Sequence, residues 1–312
     1  MHTFRKILFV SDGLADEVSA LIQALSVERE NQASLSILIA HPALPDAMAE
    51  YALQFEGSLK QRVLSGLREA RETLAMAPVD EDSIIETDAG HSPATRVIRH
   101  VLRHGHDLVV KRAAVGDGGT GFMAVDMELL RKCPRPLWLS RPIERHRQDM
   151  RVSVAVDPES LEPEGHDLSL QLLRIGRQLA DTCSGELNVV SCWDFEHENY
   201  LRHNAWFKVP DADVMKMVMK RQSAHQVALS SLIEDAHVGG KLLVQRMKGQ
   251  PDKMIPQHIV DKDIDILVMG TVARTGIPGF FIGNTAENVL RKLTCTLLAI
   301  KPMGFASPVA AY

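Results

Sequence analysis

The sequence predicts an α/β protein made of two tandem domains of one fold, each a five-stranded parallel sheet with helices on both faces. Three observations predict it. Short β-branched runs alternate with longer helical stretches, the pattern of a parallel sheet covered by helices. The two halves repeat this pattern with matching chemistry and spacing, which is a duplication signal. A polar, charged segment beginning after the last strand of the first half separates them.

In the first half the predicted strands are Ile7 to Val10, Leu35 to Ala40, Ser83 to Glu86, Leu108 to Val110 and Leu137 to Leu139, with a long helical segment over roughly residues 46 to 77. The segment RPIERHRQDM, residues 141 to 150, reads as a linker and puts the boundary near residue 147, giving domains 1–147 and 148–312. In the second half the strands are Val152 to Val156, Leu187 to Ser191, Lys241 to Gln245, Ile266 to Met269 and Leu297 to Ile300, with a helical segment over 211 to 237. KILFVSD ending at Asp12 matches RVSVAVD ending at Asp157, DLVV matches DILV, and ELLRKCPRPLWL from Glu128 matches NVLRKLTCTLLA from Asn288. Met215, Met217 and Met219 on the later long helix read first as core packing, because methionine fills irregular gaps, with a small-molecule groove as the alternative. The tail after Lys301 reads as a loose end.

At 312 residues the chain accommodates two domains of about 150 residues each. A hydrophobic fraction of 45%, a charged fraction of 24% and a net charge of -5 give no sign of nucleic acid or membrane as a partner. Cys133, Cys183, Cys192 and Cys295 form no CxxC pair and no zinc or disulfide spacing, which fits a reducing compartment. The N-terminal apolar run, Ile7 to Val10, is too short for a signal segment, and no stretch approaches the ~18 apolar residues of a membrane span. The expected location is the cytoplasm.

The most informative segment runs from Leu267 to Leu293, where a strand ends at Gly270, glycines follow at Gly276, Gly279 and Gly283, and a helix opens at Asn284. Strand, glycine loop and helix in this order suit a phosphate: glycines let backbone N–H groups approach an anion, and a helix start offers unpaired donors. The competing explanation is a capping box, Asn284 covering an N–H of the first turn and Glu287 reaching back. That would account for Asn284 and Glu287 without a ligand, though not for the glycines upstream.

This segment resembles the C-terminal signature of the universal stress protein family: a glycine, two residues, a glycine, nine residues, then glycine and a hydroxyl residue. Here those positions are Gly270, Ala273, Gly283 and Asn284. Together with GTVARTGIPGFFIGNTAENVL and, in the first half, LLRKCP, the resemblance extends from Lys6 to Pro302 and points to the tandem type of that family. It implies the family's adenine nucleotide alpha hydrolase-like fold and binding of ATP or a related adenine nucleotide, with Mg²⁺ as an accompanying ion, in the second domain. By that resemblance Asp157 would serve the ribose or adenine side and Cys192 would meet adenine through its backbone. Met269 and Gly270 would line the nucleotide, while Gly283, Asn284 and Thr285 would hold phosphate. Arg274 is added as a nearby cation on charge alone. Two positions depart from the family pattern: Ala273 puts a methyl where a glycine stands, and Asn284 replaces the hydroxyl. Asp157 also has a plain reading as a turn former.

The first copy has lost the loop. Arg112 stands where Gly270 does, Met123 where Gly283 does and Ala124 where Asn284 does, over a segment two residues shorter. Gly116, Gly118, Gly119 and Gly121 are expected to keep that loop flexible without forming a phosphate cradle. His100 and His104 have metal-binding spacing with His106 close by, yet Arg96, Arg99 and Arg103 favour a solvated basic face. The cluster Asp194, Glu196, His197, Glu198 and His203 offers imidazoles and carboxylates after a strand, and no metal is assigned to it. No GxSxG, Walker lysine or activated cysteine appears, so a sensor or regulator is expected rather than an enzyme. The alternatives are a non-catalytic interaction module and a carrier of an apolar ligand in the first domain. The resemblance also implies pairing through last strands, here Leu137 to Leu139 against Leu297 to Ile300 within one chain. Such a pseudo-dimer could pair again as a homodimer or meet a protein partner.

Overall fold

The computed structural model describes residues 4–78, 84–114, 119–203, 209–271 and 282–312. The first half runs β1 (Lys6–Ser11), α1 (Val18–Asn31), β2 (Ser34–His41), α2 (Ala52–Thr73), β3 (Ile85–Ala89), α3 (Pro93–His104), β4 (Leu108–Arg112), α4 (Ala124–Lys132) and β5 (Leu137–Ser140). The second runs β6 (Val152–Ala155), α5 (Pro163–Asp181), β7 (Glu186–Trp193), α6 (Glu198–His203), α7 (Asp211–Ala236), β8 (Lys241–Lys248), α8 (Pro251–Lys262), β9 (Ile266–Gly270), α9 (Asn284–Leu290) and β10 (Thr296–Ile300).

Among the described residues these strands form one sheet in the order β3-β2-β1-β4-β5-β10-β9-β6-β7-β8. Each half is doubly wound, and neighbours within a half are parallel. Strands buried on both faces read as continuous apolar runs, as KILFV in β1 and ILVM in β9 do. The halves meet where β5 and β10 pair antiparallel, Leu139 with Leu297, Trp138 with Leu298 and Leu137 with Ala299. Two cores cover the faces, and each is continuous across both halves: Ile7, Phe9 and Trp138 share one with Val152 and Leu298, while Leu8, Val10 and Leu139 share the other with Leu267 and Leu297. At the seam the Trp138 indole N–H donates to Gln23 Oε1 at 3.0 Å, and Gln23 Nε2 donates to the Arg141 carbonyl at 2.7 Å. Thr296 Oγ1 accepts from the Arg141 amide in the same network.

Several sequence expectations are corrected here. The third strand lies at Ile85–Ala89 rather than Ser83 to Glu86; Ser83 itself falls outside the described residues, and only Ile85 of this edge strand is buried, so periodicity had little to register. The methionines of α7 are not core. Met215, Met217 and Met219 are 49%, 45% and 60% exposed, because the buried stripe of the helix is Val214, Val218, His225, Leu229, Leu232 and Ala236. The linker is pinned at each arginine: Arg141 to the carbonyls of Gly119 and Gly121, Arg145 to Asp263 and Asp265, and Arg147 to Glu30 and Thr182. The C-terminal tail is not loose. It folds back on the first half, where Ser307 donates to the Lys132 carbonyl, Arg103 donates to the Ala311 carbonyl and the Arg103 guanidinium lies 5.2 Å from the Tyr312 ring centre.

Candidate functional site

In a doubly wound sheet the crevice opens beyond the carboxyl ends of the strands where their order reverses. In the second half that point lies between β6 and β9, and a cavity of about 490 Å³ opens there. Asp157, Cys192, Met269, Gly270, Gly283, Asn284 and Thr285 all line it. Ala273 and Arg274, with Gly276 and Gly279, lie outside the described residues.

Each position has a local cause. A Cβ on Gly270 would come within 2.7 Å of Leu168 Cδ2, so glycine here serves the close packing of β9 against α5. The Gly283 amide donates to the Thr271 carbonyl at 3.2 Å, which holds together the two ends of the loop. Gly283 is the residue before the first turn of α9, and no side chain caps that turn. The capping box is therefore absent: Glu287 accepts from Arg291 and from Arg131 of the first half, each at 3.0 Å, and the Arg291 hydrogen bond holds its carboxyl below the ordinary range. Asp157 does form a turn, its Oδ1 accepting from the Glu159 amide at 3.0 Å. Asp12 forms the same turn in the first half, accepting from the Leu14 amide at 2.9 Å.

Cys192 sits beyond the end of β6. The Val190 carbonyl accepts from the Val156 amide, so residue 190 turns its backbone groups toward β6. With a side-to-side alternation of two residues along a strand, the Cys192 N–H and C=O face the same way, past the last β6 partner and toward the crevice. Burial pushes its thiol up to about 12, so the sulfur stays neutral.

Sequence reasoning missed other lining residues. Arg221 of α7 forms a two-pronged pair with Glu159, at 2.6 and 2.7 Å, and the buried His225 adds a contact to Glu159 at 3.0 Å. Burial alone would raise the Glu159 carboxyl; hydrogen bonds from Arg221 and then His225 bring it below its ordinary value. Thr271 is fully buried, and its hydroxyl has no hydrogen-bond partner among the described residues. Thr271 adjoins the singled-out Gly270, but nothing in the sequence brings α7 to Glu159 across 62 positions.

The matching positions of the first half carry a buried ion pair. α4 starts at Ala124 after Met123, in register with α9 after Gly283. Two residues on, Asp126 replaces the cavity-lining Ala286, and Lys111 replaces the cavity-lining Met269. Lys111 Nζ lies 2.9 Å from Asp126 Oδ1, and the Ala114 amide donates to Asp126 Oδ2 at 2.7 Å. A buried carboxylate and its lysine thus stand where the second half has the cavity-lining Ala286 and Met269. The described end of the loop beside it is tied down: the Gly119 and Gly121 carbonyls accept from Arg141, and the Gly121 amide donates to the Leu293 carbonyl of the other half. Gly116 and Gly118 lie outside the described residues.

Three members of the second-half cluster of acids and histidines are otherwise engaged. Asp194 accepts from Gln250, Glu198 pairs with Arg202 and Lys248, and His203 contacts the Asn199 carbonyl. Among the described residues, the set of metal-ligating side chains with atoms close enough to share one ion is Glu86, His100 and His104.

Two doubly wound units joined strand to strand, one with a cavity at its switch point and one with a buried ion pair at the matching positions, define a tandem α/β protein. The family model described as "Universal stress protein family" matches residues 3–141 and 150–301, and the chain belongs to that family. It is similar to Universal stress protein E of Photorhabdus laumondii, at 27% identity over 100% of this chain and 99% of the relative. It is also similar to Universal stress protein E of Escherichia coli K12, at 31% over 70% of this chain and 67% of the relative. Among solved structures, a functionally unknown protein of Pseudomonas aeruginosa PAO1 covers 96% of this chain and 94% of its own length with a TM-score of 0.69 at 20% identity. A universal stress protein from Archaeoglobus fulgidus covers 96% and 99% with a TM-score of 0.63 at 14% identity. These two show the fold. Among the described residues, no helix is long and apolar enough to cross a membrane.

Proposed function

We propose that this universal stress protein is a cytoplasmic stress-response regulator whose second domain, residues 148–312, binds ATP or a related adenine nucleotide and whose first domain, residues 1–147, is a closed partner. The observation that carries this reading is the cavity of about 490 Å³ over the β6/β9 switch point, which gathers separately predicted residues from the strand ends and the α9 entry. Its volume lies in the range of about 300 to 1,000 Å³ usual for small-molecule sites. The Cys192 backbone offers a donor and an acceptor for the base edge, and Asp157 has a second carboxylate oxygen for the ribose. Asn284 and Thr285 supply backbone amides at the α9 entry, an amide side chain and a hydroxyl for phosphates, and Gly283 opens that turn. Ala273 and Arg274 are proposed as further phosphate-side residues by the family resemblance and by charge respectively. Mg²⁺ would arrive with the phosphates, since the described cavity residues hold no set of three ligating side chains within reach of one ion.

The site is built for binding rather than turnover. Glu159, a carboxylate at its rim, is held ionised by Arg221 and His225 and is not poised as a base. Signalling between the halves would then run through α9, whose Glu287 already reaches Arg131 of the first half. A second reading, an interaction module without nucleotide, is favoured by the exposed Met215 and Met219, one turn apart on α7 and of the soft apolar kind that adaptable interfaces use. Calorimetric titration with ATP separates the two. The proposal expects saturable binding at one site per chain that Gly283→Glu abolishes; heat changes identical in both proteins would reject it.

A further inference from the structure

We propose that Glu86, His100 and His104 form a binding site for a divalent transition-metal ion of the zinc type, at the outer edge of the first half where β3 begins and α3 ends. His100 and His104 stand one helical turn apart, so their rings share a face of α3. The rings stack with centres 4.2 Å apart and planes at 21°. Glu86 Oε2 lies 3.8 Å from His100 Nδ1, and one ligand atom from each of the three side chains lies within 4.8 Å of the others. A solvated basic face does not require this convergence. Two of the three arginines expected to share the face are turned elsewhere: Arg96 to Asp88 at 2.8 Å, and Arg103 to the Ala311 carbonyl.

A third imidazole fixes the cluster from within. His106 is buried, its ring lies 5.4 Å from that of His100 at 18°, and its Nε2 is 2.7 Å from Ser36 Oγ. His100 is thereby backed by a wall that holds its plane, as second-layer partners do for metal-bound histidines. Two imidazoles and one carboxylate are a donor set that zinc accepts with a coordination position left open. Bonds of about 2.0 to 2.2 Å require the three donors to draw closer than they stand. Glu86 and His104 are both exposed, so their side chains can swing to meet the ion. Lys6, whose ammonium donates to the His104 carbonyl at 2.7 Å, is a cation that opposes the site, and Asp88 is occupied by Arg96. The set therefore selects an ion that imidazole binds strongly rather than a hard cation such as magnesium or calcium. The open position would take water or a small anion.

The test is calorimetric titration of the tag-free full chain with zinc(II) chloride, paralleled by cobalt(II) and its visible absorption as a readout of coordination. One equivalent should bind, and His104→Ala should weaken it by on the order of a hundredfold, at the upper end of what disturbed metal environments cost. Glu86→Gln should weaken it by about tenfold, while His197→Ala in the second half leaves it unchanged. Both key residues are exposed, so unchanged thermal unfolding of the metal-free variants is expected and shows that they fold. Absence of a saturable one-equivalent site, or a site that survives His104→Ala intact, overturns the proposal.

Discussion

Replacing Glu17 by glutamine should remove a pH dependence that the wild-type fold carries in its first half. Glu17 is 8% exposed and accepts a hydrogen bond from Ser11 Oγ, whose own oxygen accepts from the Gly13 amide at 2.8 Å. Burial raises its carboxyl from 4.5 to about 7, opposed by the Ser11 hydrogen bond and reinforced by Asp12. Between those values the folded protein holds a proton that the unfolded chain has lost. The folded state thus binds more protons, and stability falls as pH rises through the window. The contribution is fully present below 4.5 and gone above about 7. The gap corresponds to about 3 kcal/mol. Glutamine stays neutral at every pH and should not show this loss. Equilibrium urea unfolding of both proteins from pH 4 to 8.5 measures it, with the variant gaining about 3 kcal/mol relative to wild type across the range. His106 and His258, both held near 4 chiefly by burial, shift stability in the opposite direction, upward as pH rises toward 6.5, but equally in both proteins. A stability difference independent of pH would refute the reasoning.

Other outcomes follow from the same geometry. Lys111→Met leaves the buried Asp126 carboxylate unpaired and should cost about 3 to 5 kcal/mol in urea unfolding, most of which the double variant with Asp126→Leu should restore; a harmless single variant would contradict the pairing. Gln23→Leu orphans the Trp138 indole N–H at the seam while the Arg141 carbonyl keeps the Thr296 hydroxyl, a loss of about 1 to 3 kcal/mol, visible in denaturant titrations followed by tryptophan fluorescence. Arg221→Ala should lower ATP affinity by roughly tenfold or more if the guanidinium turns from Glu159 to a phosphate, since a hydrogen bond to a charged group contributes about 1.5 to 3 kcal/mol; unchanged affinity would confine Arg221 to its pair with Glu159.

Much of the fold was legible because β1, β4, β6 and β9 are buried on both faces and write themselves as apolar runs. The strand at Ile85 was displaced in the reading because an edge strand with one buried residue carries little pattern. The α7 methionines misled because hydrophobicity alone does not say which face of a helix is buried; Val214, Val218 and Leu229 hold the core side. The tail was misread for a related reason: single arginine or serine hydrogen bonds to distant carbonyls leave no period in a sequence. In the crevice, positions at strand ends and helix starts were legible because turn chemistry is local. Arg221 was not, since its role depends on α7 crossing back over the β6 to α5 connection. The first half was read as having lost its loop, but the ion pair that fills its place depends on side chains 15 residues apart meeting in the fold.

The most direct measurement of the central claim is mass spectrometry of the small molecules released when freshly purified protein is denatured, with Gly283→Glu prepared in parallel. An adenine nucleotide released from the native chain and missing from the variant is the predicted result. No nucleotide from either protein, together with no uptake of added ATP, would contradict the account.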